Sequence, residues 1–485
     1  MKDPPVTPNP YGGRRFPPPR FRVRGGQSLS RAPEGGTERA VSRSPKSEPV
    51  GADETQAGNA QAGSGLSARL AANDLLRAAF ARRGGLDEAL NDPRFRKLPA
   101  QDRAFARALA MAVLRNHGRI EAALDARLQK PPPEPVRELL RLGVAQLFAL
   151  DVPDFAAVAT TVKLAERDNA TRPYKGLLNG VLRGLARDGA PDVPPEANAP
   201  DWLLQRWRAA YGEDRALALA ATIPDEPATD LSLRDPAEAE RWAEELEAVV
   251  LPGGSLRTRR RGDLAEWPGF AEGAWWVQDA AAAIPARLLA AKPGETIADL
   301  CAAPGGKTLQ LATTGAEVVA IDRSEPRLKR LRENLARMDL KAEVLVADAE
   351  RWDDGRRFDA VLLDAPCSST GTFRRNPEVL WATRPPDIAK LADVQHRLLD
   401  AAAKRVRPGG RLVYCVCSLE REEGETQVLA FLRRHPEFRT EPAVPAEVGA
   451  PDDALTPEGW LRVLPSQWAE HGGLDGFFMA RLARS

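Results

Sequence analysis

Between residues 66 and 190 apolar side chains recur at helical spacing. LSARLAANDLLRAAFARR, AQDRAFARALAMAVLRNHGRIEAAL, PVRELLRLGVAQLFAL and PYKGLLNGVLRGLARDG each place their Leu, Val, Ile and Ala on one face. Prolines at 131–133, 135, 153 and 173 punctuate these segments, and the stretch predicts a helical bundle. Residues 191–200 (PDVPPEANAP) read as a linker. In 201–270, DWLLQRWRAAYG and EDRALALAAT read as helices, while TDLSLR and LRTRRRG read as short strands and turns, predicting a small mixed α/β domain. From 271 to 485 the period changes again. Apolar strands (ETIADL, EVVAID, AEVLVAD, RFDAVLLD, GRLVYCVCS) alternate with amphipathic helices (EPRLKRLRENLARM, DIAKLADVQHRLLDAAAKRV), the pattern of an α/β sheet. The fifth strand is entered through RPGG, and GFFMARLAR is expected as a C-terminal edge strand. Residues 1–65, rich in Pro, Gly, Ser and Arg, carry little periodicity and read as disordered.

Composition narrows the function classes. No apolar run approaches the about 20 residues of a membrane span, and the start has no apolar signal region, so a cytoplasmic location and no membrane partner are expected. With 69 basic and 68 acidic residues, net charge neither suggests nor excludes a nucleic-acid partner, so local patches matter more. The first 31 residues hold seven basic side chains and one acidic one. Arg103, Arg107, Arg115, Lys175 and Arg183, and the knot Arg257, Arg259, Arg260 and Arg261, are candidate phosphate contacts; a solvated face is the alternative for each. The four cysteines, Cys301, Cys367, Cys415 and Cys417, lack zinc spacing, and no bound metal is expected.

The chemistry gathers where parallel strands end, the edge at which such sheets bind ligands. CAAPGGKT follows the first strand: Cys301, Ala302, Ala303, Pro304, Gly305, Gly306 and Lys307 form a glycine-containing loop that is neither a dinucleotide fingerprint nor a P-loop. Asp322 ends the second strand, where a carboxylate can accept both ribose hydroxyls of an adenosine, and Asp348 ends the third. A nucleoside cofactor without a pyrophosphate site fits S-adenosylmethionine. The fourth strand ends in DAPCSSTG, with Asp364 and Cys367, and is followed by Arg374, Arg375 and Trp381; the fifth ends in YCVCS. Strand alternation puts Cys415 and Cys417 on one side, so direction does not choose between them, although Cys417 lies nearer the binding edge. A thiolate at this edge suits attack on C6 of a pyrimidine, which activates C5 for methylation. Asp364 is placed to meet N3 and N4 of a cytosine. Strand position does not by itself prefer Cys417 over Cys367 as the attacker.

CAAPGGKT, VVAID, LLDAPCSSTG, QDAAA at 278–282 and HGGLDGFFMARL resemble the ribosomal RNA small-subunit methyltransferase B group of the RNA cytosine-C5 methyltransferases. The stretches DRAFARALAMAVLRNHGRI, LLRLGVAQLFALDVPDFAAVATTVKLAE and KGLLNGVLR resemble the NusB-like RNA-binding fold. Together the resemblance covers about residues 66–485. It implies a Rossmann-like S-adenosylmethionine-dependent methyltransferase domain (271–485) preceded by the NusB-like domain (66–190) and the small domain (201–270). It implies that Cys417 attacks C6 and Cys367 assists release. Residues 301–307, Asp322, Asp348 and Asp364 would contact the cofactor, with Lys307 beside both cofactor and base. The substrate implied is a cytosine in small-subunit ribosomal RNA, and a monomer is expected. The sequence departs from the family in reading Val416 before Cys417 where threonine is usual, and in flanking Asp348 with Ala347 and Ala349 where glycines are common. Neither removes a reacting group, and Cys415 is expected to pack in the core. The same reaction on transfer RNA, a non-catalytic RNA-binding factor, and a redox or metal protein are the alternatives.

Overall fold

The computed structural model describes residues 54–82 and 84–485; the basic arm ahead of residue 54 lies outside them. The chain forms two compact units that part between Asn198 and Ala199.

The first unit is helical: α1 (Glu54–Ala81), α2 (Gly85–Asn91), α3 (Pro93–Arg96), α4 (Ala100–Arg115), α5 (His117–Asp125), α6 (Glu134–Phe148), α7 (Asp154–Ala165) and α8 (Lys175–Asp188). The predicted apolar faces form its core, with Ala72, Leu109, Val113, Leu140, Val144 and Leu182 fully buried. Gly143 lets α6 and α8 close up, since a Cβ there would stand 2.6 Å from Leu182 Cδ1. The core includes a polar node, where Arg69 Nε donates to the buried Gln146 Oε1 at 2.6 Å. Two expectations change here. Helix α1 begins at Glu54, inside the stretch read as disordered, and no proline interrupts it before its end at Ala81. Arg115 is buried and so does not offer its charge to a phosphate, whereas Arg107, Lys175 and Arg183 are exposed.

The second unit contains α9 (Asp201–Tyr211), α10 (Glu213–Ala221), β1 (Thr229–Leu233), α11 (Ala239–Glu245), β2 (Val249–Val250), β3 (Leu256–Thr258), β4 (Trp275–Val277), α12 (Ala280–Leu289), β5 (Thr296–Leu300), α13 (Gly306–Thr313), β6 (Glu317–Asp322), α14 (Glu325–Arg337), β7 (Glu343–Val346), β8 (Phe358–Asp364), α15 (Val379–Ala382), α16 (Pro385–Ala403), β9 (Val406–Val416), α17 (Glu425–Arg434), β10 (Phe438–Thr440), α18 (Pro445–Val448), β11 (Leu461–Val463) and β12 (Phe477–Arg484). The large sheet runs β10-β12-β9-β8-β5-β6-β7, with β11 also paired to β12. Strands β5 to β9 are parallel, and β12 lies antiparallel to β9. Alternation sorts their side chains into two cores. Leu300, Val361, Leu363, Leu412, Tyr414 and Val416 pack on one face with Leu398 and Leu399 of α16 and Phe431 of α17. Ile297, Ala360, Leu362, Val413 and Cys415 pack on the other with Ile284 and Leu288 of α12.

GFFMARLAR is therefore an interior strand, not an edge. The short β10 and β11 flank it, and both are too brief to show a period of two. RPGG lies within β9 as an irregularity rather than before it: Phe358 pairs with Val406 and Ala360 with Arg411. Residues 201–270 also divide differently from the sequence reading. A four-stranded sheet, β2-β3-β1-β4, extends to Val277, while α9 and α10 pack against Phe373, Leu380, Leu419 and Leu464 of the catalytic half. Arg257, read as part of a basic knot, is buried opposite Asp230 and holds its carboxylate through two bonds of 2.7 Å, because the β1–β3 register sets the two residues face to face. Arg259, Arg260 and Arg261 are exposed.

Candidate active site

Four chain segments meet where β5, β6, β8 and β9 end. The first is the loop from Cys301 to Gly306. It turns sharply, with positive φ at Cys301 (61°) and Gly305 (108°). At Gly305 only glycine fits, because a Cβ would stand 2.3 Å from Leu331 Cδ1. The turn brings Ala302 N to Ile321 O at 3.0 Å and Ala303 N to Asp322 Oδ2 at 3.2 Å. Asp322 is buried, and its other oxygen accepts Ser324 N at 2.8 Å. Each carboxylate oxygen keeps a second lone pair for a ligand hydroxyl. Asp348 is exposed; its Oδ1 accepts Glu350 N at 3.0 Å and so caps the turn that follows β7.

Lys307 and Asp364 come together as a pair. Lys307 Nζ donates to Asp364 Oδ2 at 2.8 Å and lies 5.3 Å from the centre of the Phe477 ring. Burial works against the ammonium, but the Asp364 charge and hydrogen bond outweigh it and hold the pKa above its ordinary value. Because β8 and β9 pair Asp364 with Cys415, the Cys415 thiol reaches Asp364 Oδ1 at 3.4 Å. Burial first, then Asp364, pushes that thiol well up, so Cys415 is a neutral donor. It packs in the core as expected, and it also braces Asp364 through the carboxylate oxygen that Lys307 does not use, a contact the sequence reading missed.

Strand β9 ends at Val416, and in the turn beyond, Cys417 Sγ meets Cys367 Sγ at 3.4 Å. Cys367 is buried, and its pKa is raised by the Cys417 contact and then by burial. Cys417 is partly exposed. The side chains thus separate two cysteines that strand position alone left equivalent. Cys301 packs beside the core, and burial pushes its thiol up to about 12, which makes it a poor nucleophile.

The thiol pair is set by a carboxylate outside the predicted site. Each cysteine is followed by a serine, and both serines bind Glu423. Ser368 N donates to Glu423 Oε1 at 2.8 Å, and the hydroxyls of Ser368 and Ser418 donate to Oε2 at 2.5 Å. Gln395 Nε2 adds a bond of 3.1 Å to Oε1. Glu423 is fully buried, so it ties together the loops after β8 and β9. Replacing Glu423 by alanine strands these donors and is expected to cost about 3–5 kcal/mol of stability, read as a lower midpoint in urea unfolding; a loss under about 1 kcal/mol would show that the clamp is dispensable. Asp299, also missed, is buried in β5, and burial lifts its pKa to about 7. It accepts the Thr308 hydroxyl at 2.6 Å, fastening the first turn of α13 to the sheet, while its Oδ1 has no protein partner. The signal for it was a carboxylate inside an apolar strand.

Arg374 and Arg375, which follow Cys367 in the loop after β8, anchor that loop to the rest of the unit. Arg374 is buried and donates to Gly472 O. Arg375 pairs with Asp279 at 2.6 Å, Asp230 at 3.3 Å and Asp475 at 3.4 Å, which ties the Cys367 loop to the QDAAA and LDG stretches. The loop at 301–306 and the two remaining lone pairs of Asp322 fit the nucleoside of S-adenosylmethionine, and nothing in that loop is built for a pyrophosphate.

Residues 286–483 match the 16S rRNA methyltransferase RsmB/F family, and residues 66–187 match the NusB family. The chain is 37% identical to the ribosomal RNA small subunit methyltransferase B of Vibrio cholerae over 406 residues, covering 79% of this chain and 90% of that one. It is 35% identical to the protein of that name from Pseudomonas syringae, covering 86% and 97%. The crystal structure of PH0851 is similar at 27% identity and a TM-score of 0.68, covering 86% of this chain and 98% of that one.

Proposed function

The chain belongs to the 16S rRNA methyltransferase RsmB/F family, and from that premise we propose that it methylates C5 of a cytosine in small-subunit ribosomal RNA, using Cys417 as nucleophile and S-adenosylmethionine as methyl donor. The observation that carries the reading is the thiol pair, Cys417 and Cys367 at 3.4 Å, at the same sheet edge as the Lys307–Asp364 pair.

The bound cofactor supplies an electrophilic methyl group on a sulfonium. The loop 301–306 and Asp322 hold its nucleoside. The Cys417 thiolate adds to C6 of the flipped base, which raises electron density at C5. Asp364, braced by Lys307 and Cys415, meets the N3–N4 edge of the cytosine and supports the charge that builds there. C5 takes the methyl group, the C5 proton passes to a water acting as base, and breaking of the C6–S bond releases Cys417 as a thiolate and restores the aromatic ring, with Cys367 beside the leaving sulfur. Exposed Arg107, Lys175, Arg183, Arg259, Arg260 and Arg261 are the proposed phosphate contacts.

The test is methyl transfer from labelled S-adenosylmethionine to purified 16S ribosomal RNA and, separately, to transfer RNA, with digestion to nucleosides. Label is expected in 5-methylcytosine from the ribosomal RNA at one position. Label confined to transfer RNA, or to a base other than cytosine, would overturn the assignment.

A further inference from the structure

Helix α9 precedes the matched catalytic region by some eighty residues of sequence, yet it packs on the loops that carry both thiols. Its sequence, DWLLQRWRAAY, is amphipathic. Leu203, Leu204 and Trp207 are buried with Phe373 and Leu380, which follow Cys367, and with Leu419, which follows Cys417. The Trp207 and Phe373 rings lie 5.6 Å apart between centres. This apolar contact presents a polar row to the Cys417 loop. Arg206 Nε donates to Glu420 Oε2 at 2.5 Å, and Arg206 Nη2 donates to both oxygens of Glu422 at 2.7 Å. The Tyr211 hydroxyl donates to Leu419 O.

Glu420 passes the contact onward. It is buried, and its Oε1 accepts the Thr370 hydroxyl at 3.4 Å. Thr370 Oγ1 in turn accepts Leu419 N at 3.0 Å, and Gly371 N donates to Cys417 O at 3.0 Å. The path from Arg206 to the backbone of Cys417 thus runs through one buried carboxylate and one hydroxyl. Burial pushes the Glu420 carboxyl up, and the Arg206 guanidinium opposes that. Without Arg206 the carboxylate must take up a proton or turn to solvent. Either change moves a loop whose neighbours are the two thiols.

We infer that Arg206 and Tyr211 of α9 are positioning residues for the Cys417 loop, so that the working catalytic unit starts near residue 199 rather than near 271. The inference rests on the reading of Cys417 as nucleophile. A thiol displaced by about 1 Å can lose a hundredfold in rate, so Arg206→Ala is expected to lower kcat for RNA methylation by roughly ten- to a hundredfold. KM for S-adenosylmethionine should stay within about twofold, because the loop at 301–306 and Asp322 are not part of this path. Arg206→Lys keeps a charge beside Glu420 and should recover part of the loss.

The second readout does not involve methyl transfer. Alkylation of Cys417 by iodoacetamide, followed by peptide mass spectrometry in the full chain without RNA, should change by about threefold or more in Arg206→Ala, while Glu213→Ala, whose exposed carboxylate pairs with Arg208 rather than with the Cys417 loop, should stay near the unsubstituted rate. If Arg206→Ala does not fold, Tyr211→Phe removes a single hydroxyl and carries the same test, with thermal melting as the check on folding. Unchanged kcat and unchanged Cys417 alkylation in a folded variant would overturn the inference. A changed alkylation rate in an enzyme that still methylates after Cys417→Ala would instead uphold the contact and overturn the nucleophile reading.

Discussion

Cys417→Ala is expected to reduce methyl transfer to about a thousandth of the original rate or less, with S-adenosylmethionine affinity unchanged. The reasoning is chemical before it is positional. Cytosine C5 is too poor a nucleophile to take a methyl group unaided, and covalent addition at C6 is what makes it reactive. Removing the adding group therefore removes the pathway rather than one stabilising contact. Cys417→Ser is expected to fare almost as badly, because an alkoxide is far harder to form at neutral pH than a thiolate. The structure supports this choice among four cysteines. Cys415 is fully buried and donates to Asp364, burial pushes the Cys301 thiol pKa up to about 12, and Cys367 is buried against Cys417, whereas Cys417 is partly exposed at the strand end. Binding of S-adenosylmethionine by calorimetry, next to single-turnover methylation, separates the two functions. Near-normal methylation by Cys417→Ala would move the nucleophile to Cys367.

Much of this site is readable from the sequence because its parts sit where strands end. A strand that stops at Asp322 or Asp364 delivers a carboxylate to the binding edge whatever packs behind it, so apolar runs plus the residue that closes them locate those groups. Partners are a different matter. Hydrophobic periodicity reports burial, not what a buried group touches. Arg257 and Arg115 read as exposed charge because nothing in their local pattern reveals the aspartate across the strand or the packing around the helix end. Cys415 read as core, correctly, but its bond to Asp364 depends on the β8–β9 register. Glu423 and the α9 contacts are separated from their partners by up to 216 residues, beyond any spacing rule. Cys417 itself lies one residue beyond the end of β9, and its contact with Cys367 is one that no run of apolar residues marks.

Cys367→Ala is expected to do the opposite of Cys417→Ala: to let addition and methylation proceed and to hold the product. Cys367 Sγ lies 3.4 Å from Cys417 Sγ, and the contact with Cys417 together with burial keeps its pKa raised, so at neutral pH it carries its proton. A neutral thiol at that distance stabilises the departing Cys417 thiolate by donating to it, and the stabilisation grows as the C6–S bond breaks. Losing that donor should slow release by about a hundred- to a thousandfold while the earlier steps continue. The expected signature is a protein–RNA adduct that survives denaturing electrophoresis and accumulates in time with S-adenosylmethionine present. It should contain 5-methylated cytosine and disappear when Cys417 is also replaced. Cys367→Ser, which keeps a small donor, should accumulate less of it. Turnover at the original rate without an adduct would mean that another group, with Asp364 the nearest candidate, serves the departing sulfur. An adduct that forms in the double variant would mean that Cys417 is not the atom bonded to RNA. The two substitutions thus test one ordered pair from opposite ends, since only an attacker and a releaser in sequence give loss of the adduct in one variant and its accumulation in the other.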